Sequence, residues 1–403
     1  MFAGLTDKKL LPALLLLWLM GIYLRLPILV IPPLAPYIND QFQLSQSLLG
    51  SLTTLPIFML ALGAVAGSLS IARLGPRNTL AAALVLLALA STARGLTDEL
   101  VWLLVFSLGV GLGAAIMQPA LPALLSRWLP AKKLALGTAV YMNGLLMGEF
   151  LGAGVTLPVI MPLVDNSWQL TLAIWSLPAL LVAAALYLLK EKPGSSEEES
   201  LEASSQWMPD WKNPYIWQIG LLLAVTASLF FGTNAYLGSL LEAREEEPLL
   251  KPAFFGFNLA QVFASLLMLV KATSWIGRRG PLLLSSLGCL VGMLGLLLTS
   301  AWLSIAFAFI LSFWAGVLLI LLVALPPQLA PGKAAGRLAA GAFTLAYSLS
   351  FFLPLLGGLL ADLTGDPAHA LWLLFVVGLT ALPLAWRFPL PGNNQNPDKA
   401  SAT

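Results

Sequence analysis

The sequence predicts an all-α integral membrane protein with twelve transmembrane helices arranged as two pseudo-symmetric six-helix bundles. Three observations carry that expectation. Of the 403 residues, 59% are hydrophobic and only 10% charged, whereas soluble domains carry roughly 25% charged residues. Apolar stretches long enough to cross roughly 30 Å of hydrocarbon as a helix recur along nearly the whole chain. The lysines and arginines between those stretches are distributed with a strong sidedness.

Charged, Gly/Pro and Asn/Asp clusters place the first six spans near 10–37, 47–71, 78–96, 100–126, 134–162 and 169–189. The second six fall near 214–241, 253–275, 281–300, 302–326, 335–361 and 369–387. Met1 to Lys9 lead into an apolar segment that is too long for a signal-peptide core and lacks a small-residue cleavage site, so the first span is expected to be retained. The resulting organisation is a bundle over 1–189, a linker over 190–213, a second bundle over 214–388 and a tail over 389–403. The linker holds Pro193, Gly194, the Glu197-Glu198-Glu199 run and several serines, a flexible composition.

Assigning alternate loops to one side gathers every loop Lys and Arg except Arg94, Arg244 and Lys251. The positive-inside rule then puts both termini and the linker in the cytoplasm of a multi-pass protein of the cytoplasmic (inner) membrane. An odd number of spans would scramble this bias. The two halves also read as weak repeats. Arg73-Leu74-Gly75-Pro76 returns as Arg278-Arg279-Gly280-Pro281, and Leu134-Ala135-Leu136-Gly137 as Leu338-Ala339-Ala340-Gly341, both about 205 residues later.

A net charge of +2 is too even to point to nucleic acid. Cys289 is the only cysteine and His369 the only histidine, which leaves metal binding and His-based catalysis poorly supplied. There is no His-Glu-x-x-His, no phosphate-cradling Gly-rich loop with its Lys, and no zinc-spaced Cys/His cluster. No cofactor, metal or enzymatic activity is therefore expected, and the chain is not itself an ATP-driven pump.

Arg25 and Glu149 are the charged residues that fall deep inside predicted spans. An unpaired charge there costs about 2.5–3.5 kcal/mol on insertion scales, so such residues are kept for a reason. Arg25 offers planar, bidentate recognition of a carboxylate-like ligand and stays protonated. Glu149 is its candidate ion-pair partner and proton carrier, with its protonation state left open. The alternative is a permanent ion pair that only fixes two helices. A second group of intramembrane polar and aromatic residues can orient a small ligand: Gln118, Tyr141, Asn143, Asn234, Tyr236, Asn258, Gln261, Trp314 and Tyr347. Helix-to-helix hydrogen bonding is the rival explanation for each. Gly144, Gly148 and Gly152 recur every four residues and predict a closely packed helix face beside Glu149. Pro119 with Pro122, and Pro326-Pro327, predict bends in the fourth and tenth helices.

The chain resembles the major facilitator superfamily, and more narrowly its cyanate and nitroimidazole transporter family. The likeness runs through Tyr23-Leu24-Arg25-Leu26-Pro27 with Pro33-Leu34, and through Gly111-Leu112-Gly113, Pro119, Leu121-Pro122 and Arg127 to Pro130. It continues in Gly137, Tyr141-Met142, Trp168, Ala173 to Pro178, Pro354, Gly357-Gly358, Asp362 and Gly365. Tyr23 departs from the family's asparagine, Ala72 from the Asp of the superfamily's gating loop, and Phe230-Phe231 with Tyr236-Leu237-Gly238 from the family's seventh helix. Arg73, Gly75 and Arg77 remain of that loop.

The resemblance implies two bundles rocking about a midplane site, with helices 1 and 5 adjacent and helices 4 and 7 lining the cavity, which puts Gln118 and Asn234 foremost. It further implies a monomeric secondary transporter for a small solute, here read as an organic or inorganic anion held by Arg25 and coupled to protons through Glu149. Proton-coupled export of an uncharged or aromatic compound is the alternative, and a membrane sensor or scaffold on the same fold is the alternative of another class.

Overall fold

A computed structural model of the chain describes residues 10–189, 209–330 and 332–388. Most of the linker, the tail over 389–403 and Met1 to Lys9 lie outside the described residues. Among the described residues, twelve helices are long and apolar enough to cross a membrane. We number them α1 (Leu11–Phe42), α2 (46–74), α3 (76–93), α4 (Leu100–Trp128), α5 (Leu136–Leu163) and α6 (Trp168–Leu188) in the first bundle. The second holds α7 (Pro214–Ala243), α8 (Glu247–Ala272), α9 (Arg279–Leu298), α10 (Ala301–Val323), α11 (Ala334–Thr364) and α12 (Ala368–Trp386). The end of the molecule carrying the linker is called the linker end below, and the other the distal end.

Helix α1 is broken where the site is built. Pro27 has no N–H to offer the Tyr23 carbonyl, so the first segment stops at Tyr23 and a new turn starts at Leu26. Arg25 lies in the gap with φ −127° and ψ −34°, off the helical track. Helix α5 supplies the matching surface. A Cβ on Gly144, Gly148 or Gly152 would run into the carbonyl oxygens of Trp18, Ile22 and Leu26, so the glycine stripe seats α5 directly on the α1 backbone on both sides of its break. Immediately after Glu149, α5 continues as a π-helical segment, Phe150–Ile160. Such insertions re-aim side chains and are frequent at functional sites.

Helices α2 and α3 form one helical run, Gln46–Ala93, interrupted at Gly75, whose φ of 74° is in the left-handed region open to glycine. Its counterpart before α9 is Gly277 (φ 79°) rather than Gly280, so the repeat of the two halves is set three residues off the register that matching letters suggest. The side chains agree with the backbone. Arg77 at the start of α3 donates to the Leu189 carbonyl after α6, and Arg279 at the start of α9 donates to the Phe388 carbonyl after α12. Pro119 and Pro122 are accommodated inside a continuous α4, whereas α10 ends at Val323 and Pro326 opens a separate short helix. Proline at a first helical position needs no N–H, so Pro326 punctuates rather than bends.

Hydrogen bonds between the two bundles occur at the centre and at the distal end. At the distal end the Asp362 carboxylate at the close of α11 accepts from the backbone N–H groups of Gln46 (2.5 Å) and Ser47 (3.0 Å), capping α2 from the opposite bundle. Nearby, the Tyr236 hydroxyl donates to the Pro354 carbonyl at 2.7 Å and abuts Gly50 and Gly358. Phe150 of α5 and Phe255 of α8 meet edge to face at 5.3 Å.

Candidate functional site

The break in α1 and the glycine stripe of α5 bring Arg25 and Glu149 together at the centre of the molecule. Arg25 Nε lies 3.4 Å from Glu149 Oε1, and both side chains are almost wholly buried. Among the described residues the Nε makes no hydrogen bond, so this is a charge contact rather than a bidentate fork. The outer edge of the guanidinium is engaged from the second bundle. Arg25 Nη2 donates to the Tyr347 hydroxyl at 3.1 Å, and Gln118 Nε2 donates to the same oxygen at 3.3 Å. The guanidinium carbon sits 5.5 Å from the centroids of both Phe231 and Tyr347, within cation–π range.

Arg25, Glu149, Phe231 and Tyr347 border a cavity between the bundles, about 460 Å³ of space between atoms including its opening. Phe230, Phe231, Phe343 and Tyr347 supply its aromatic wall, with Phe343 stacked on Tyr347 at 5.7 Å. Gln261 adds an amide. Its Nε2 donates to the Ser312 carbonyl at 2.9 Å, and its Oε1 has no hydrogen-bond partner among the described residues. Two opposite charges, an amide and a phenol set into largely apolar walls match the usual make-up of a small-molecule site.

Of the residues singled out from sequence, Arg25, Glu149, Gln118, Gln261 and Tyr347 converge here. Asn234 lies behind the wall, accepting from Asn258 Nδ2 at 3.1 Å. The other four face elsewhere. Asn143 accepts from Trp18 Nε1 at 3.0 Å between α5 and α1, and Tyr141 is buried in the first bundle with its backbone against Gly21. Tyr236 serves the distal closure, and Trp314 packs against Gly288 of α9. In the gating loop, Arg77 also lies over the Tyr187 ring at 6.0 Å, and Gly75 provides the turn. The Arg73 side chain is exposed.

One buried charge was assigned by sequence to a loop. Arg94 is completely buried, inside the first bundle where α3 ends. Its Nη2 donates to the Pro27 carbonyl and to Ser91 Oγ, each at 2.7 Å, and Ser91 is tied in turn to Ser176 of α6 at 2.6 Å. Nε and Nη1 of Arg94 have no hydrogen-bond partner among the described residues. A cationic donor thus holds the carbonyl two residues beyond Arg25, on the short turn that presents it. The sequence signal was faint: Asp98 and Glu99 follow closely and read as an interfacial loop, and only Ser91, three residues earlier on the same helix face, hinted at an inward direction.

A sequence profile described as Major Facilitator Superfamily matches residues 17–353. The chain is 30% identical over 172 residues to the cyanate transport protein CynX of Escherichia coli K12, a stretch covering 43% of this chain and 44% of that relative. It is 27% identical over 236 residues to the hexuronate transporter of Bacillus subtilis 168, covering 57% of this chain and 54% of that protein. A 2-nitroimidazole transporter of E. coli K12 is 27% identical over 293 residues, covering 72% of each chain. The aligned stretch thus spans only about half the length of the first two relatives. Among solved structures, the inward-open xylose transporter XylE from E. coli superposes with a TM-score of 0.77 at 15% identity, covering 96% of this chain and 98% of that one. A bacterial homologue of the human lysosomal transporter Spinster gives 0.75 at 15% identity, covering 93% and 95%. At those identities the likeness is one of fold.

Proposed function

Because the chain belongs to the major facilitator superfamily, we propose that it is a secondary active transporter whose solute is a small organic or inorganic anion bound at Arg25. Members of the superfamily move a small solute across the membrane by alternating access, and the named relatives are transporters rather than enzymes. The observation that carries the anion is the incomplete engagement of Arg25. Its guanidinium meets Glu149 through one nitrogen at 3.4 Å and a neutral phenol through another, at the edge of a cavity walled mostly by apolar side chains. An anion that accepts from this edge gains charge-assisted hydrogen bonds in a low-dielectric setting. Cyanate and a hexuronate, the solutes named for two of the relatives, both carry a negative charge at neutral pH.

Glu149 is the proposed proton carrier. When an anion takes over Arg25, the carboxylate loses its counter-charge in a site from which water is largely excluded, and taking up a proton relieves that cost. Solute and proton are then carried together. The linker end is proposed to face the cytoplasm on the Lys/Arg bias of the loops, and with that orientation the distal Asp362 clamp supports reading this as an inward-facing state.

One observation favours a second reading. Four aromatic rings line the cavity, which suits a flat heteroaromatic such as the 2-nitroimidazole named for the third relative. Uptake of labelled cyanate, glucuronate and 2-nitroimidazole into proteoliposomes, with and without a pH gradient, distinguishes the two. Accumulation of an anion that Arg25→Ala abolishes supports the first. Transport of 2-nitroimidazole alone, undiminished in Arg25→Ala, removes it.

A further inference from the structure

The outer face of the second bundle carries a groove between α9 and α12. Helix α12 is interrupted between Gly378 and Ala381, and the groove opens beside its last segment, Ala381–Trp386. Leu283, Leu284 and Leu287 form one wall, and Leu382 and Trp386 the other. The groove faces outward, with Leu284 47%, Leu287 50% and Trp386 67% exposed. At its linker end the lining changes abruptly to Arg387.

Two more guanidinium groups stand at that end. Arg279 is fixed by its Nε donating to the Phe388 carbonyl at 3.0 Å, immediately beyond Arg387, and Arg278 precedes it in the chain. All three arginines are exposed, and among the described residues none has a carboxylate partner. The first bundle uses the same device differently. There Arg77 donates to the Leu189 carbonyl and is covered by the Tyr187 ring, whose hydroxyl donates to Asn78 Oδ1 at 2.9 Å. No aromatic ring covers Arg279 among the described residues.

We propose that this groove is a binding site for one anionic phospholipid, with an acyl chain against the leucines and Trp386 and the headgroup phosphate on Arg279 and Arg387. Both halves of such a ligand are matched: a lipid tail by an apolar trough between two membrane-spanning helices, and a phosphate by arginines at the ends of those helices. Basic pockets between transmembrane helices on the cytoplasmic side select anionic headgroups in this way. The inference requires the membrane-spanning architecture but neither the identity of the solute nor the role of Arg25, so each can fail without the other.

The test is native mass spectrometry of the full chain released from bilayers of phosphatidylglycerol and phosphatidylcholine in equal amounts. About tenfold enrichment of a single bound phosphatidylglycerol over phosphatidylcholine is expected. The doubly substituted Arg279→Gln, Arg387→Gln chain should lose the enrichment. Leu287→Trp, which fills the trough and leaves the charges alone, should lose the lipid altogether. These positions are on the surface, so the variants are expected to fold, and circular dichroism checks that they do. Equal retention of both lipids by the native chain, or undiminished enrichment in either variant, overturns the proposal. So does displacement of the lipid by inorganic phosphate, which would make the arginines a simple anion site. A dimer that Leu287→Trp dissolves would also overturn it, by giving the groove to a second copy of the chain.

Discussion

Arg94 Nη2 donates a 2.7 Å hydrogen bond to the carbonyl of Pro27, two residues after Arg25. The contact joins the end of α3 to the break in α1, so the guanidinium at the cavity is positioned by another that never reaches it. Arg94 is buried with two nitrogens unbonded among the described residues, so an apolar side chain of similar length recovers a desolvation cost that offsets the loss of the donor to the Pro27 carbonyl. Arg94→Met is therefore expected to melt no lower than the native protein while uptake falls about tenfold, the equivalent of one charged hydrogen bond of about 1.5 kcal/mol. Comparing Tm with transport checks this. A large loss of Tm with proportionate loss of uptake would make Arg94 purely structural.

Arg25→Lys keeps the charge and discards the planar fork. If the solute is held by paired hydrogen bonds, its apparent affinity should drop roughly 10- to 100-fold, about 1.4–2.8 kcal/mol, with the maximal rate less affected. Counterflow kinetics with the best anion of the panel give both numbers. An unchanged affinity means the site reads charge alone.

Glu149→Gln preserves shape and removes the titratable group. With an acidic exterior the native chain should accumulate anion faster than without a gradient, because protonation on the entry side favours the loaded carrier. The variant should run equally fast in both conditions. Persistence of the gradient response in Glu149→Gln assigns the proton elsewhere.

Gly148→Ala places a methyl group against the Ile22 carbonyl, and backbone cannot rotate away. We expect a destabilisation of about 1–3 kcal/mol, seen as a lower Tm. Gly336→Ala, where a Cβ meets nothing within 4 Å among the described residues, should do the opposite, raising stability by up to about 1 kcal/mol through helix propensity. Equal behaviour of the two would deny that the glycine stripe sets the α1–α5 distance.

Asp362→Ala removes both acceptors from the distal cap on α2. Loss of two hydrogen bonds to a charged group should shift the population toward distal opening by tenfold or more. Ser47→Cys reports it, because the native thiol Cys289 is buried and silent. Its labelling by a membrane-impermeant maleimide should accelerate in the Asp362→Ala background and stay slow without it.

What sequence could convey about the site depended on whether the signal ran along the chain. A charge inside an apolar run is visible in one dimension, which is why Arg25 and Glu149 stood out, and a four-residue glycine spacing marks one helix face. The spans themselves were legible for the same reason. Rotation of a helix about its axis is not. Tyr236 and Trp314 were as polar or aromatic as Tyr347, yet packing turned them onto Pro354 and Gly288 and away from the cavity. Arg94 sat where a span ends, and only the lean of α1 over it decided that it was inside. The repeat was detectable, but its register was set by backbone conformation at Gly75 and Gly277, which letters do not record.

The Tyr347 hydroxyl receives hydrogen bonds from Arg25 and Gln118, both of the opposite bundle. On the proposed mechanism an arriving anion wants the same two donors, so the protein carries its own resident competitor. The measured affinity for any solute is then discounted by the strength of that internal bond. Tyr347→Phe should bind more tightly yet hold its two halves together less firmly when empty, trading a selective gate for a sticky one.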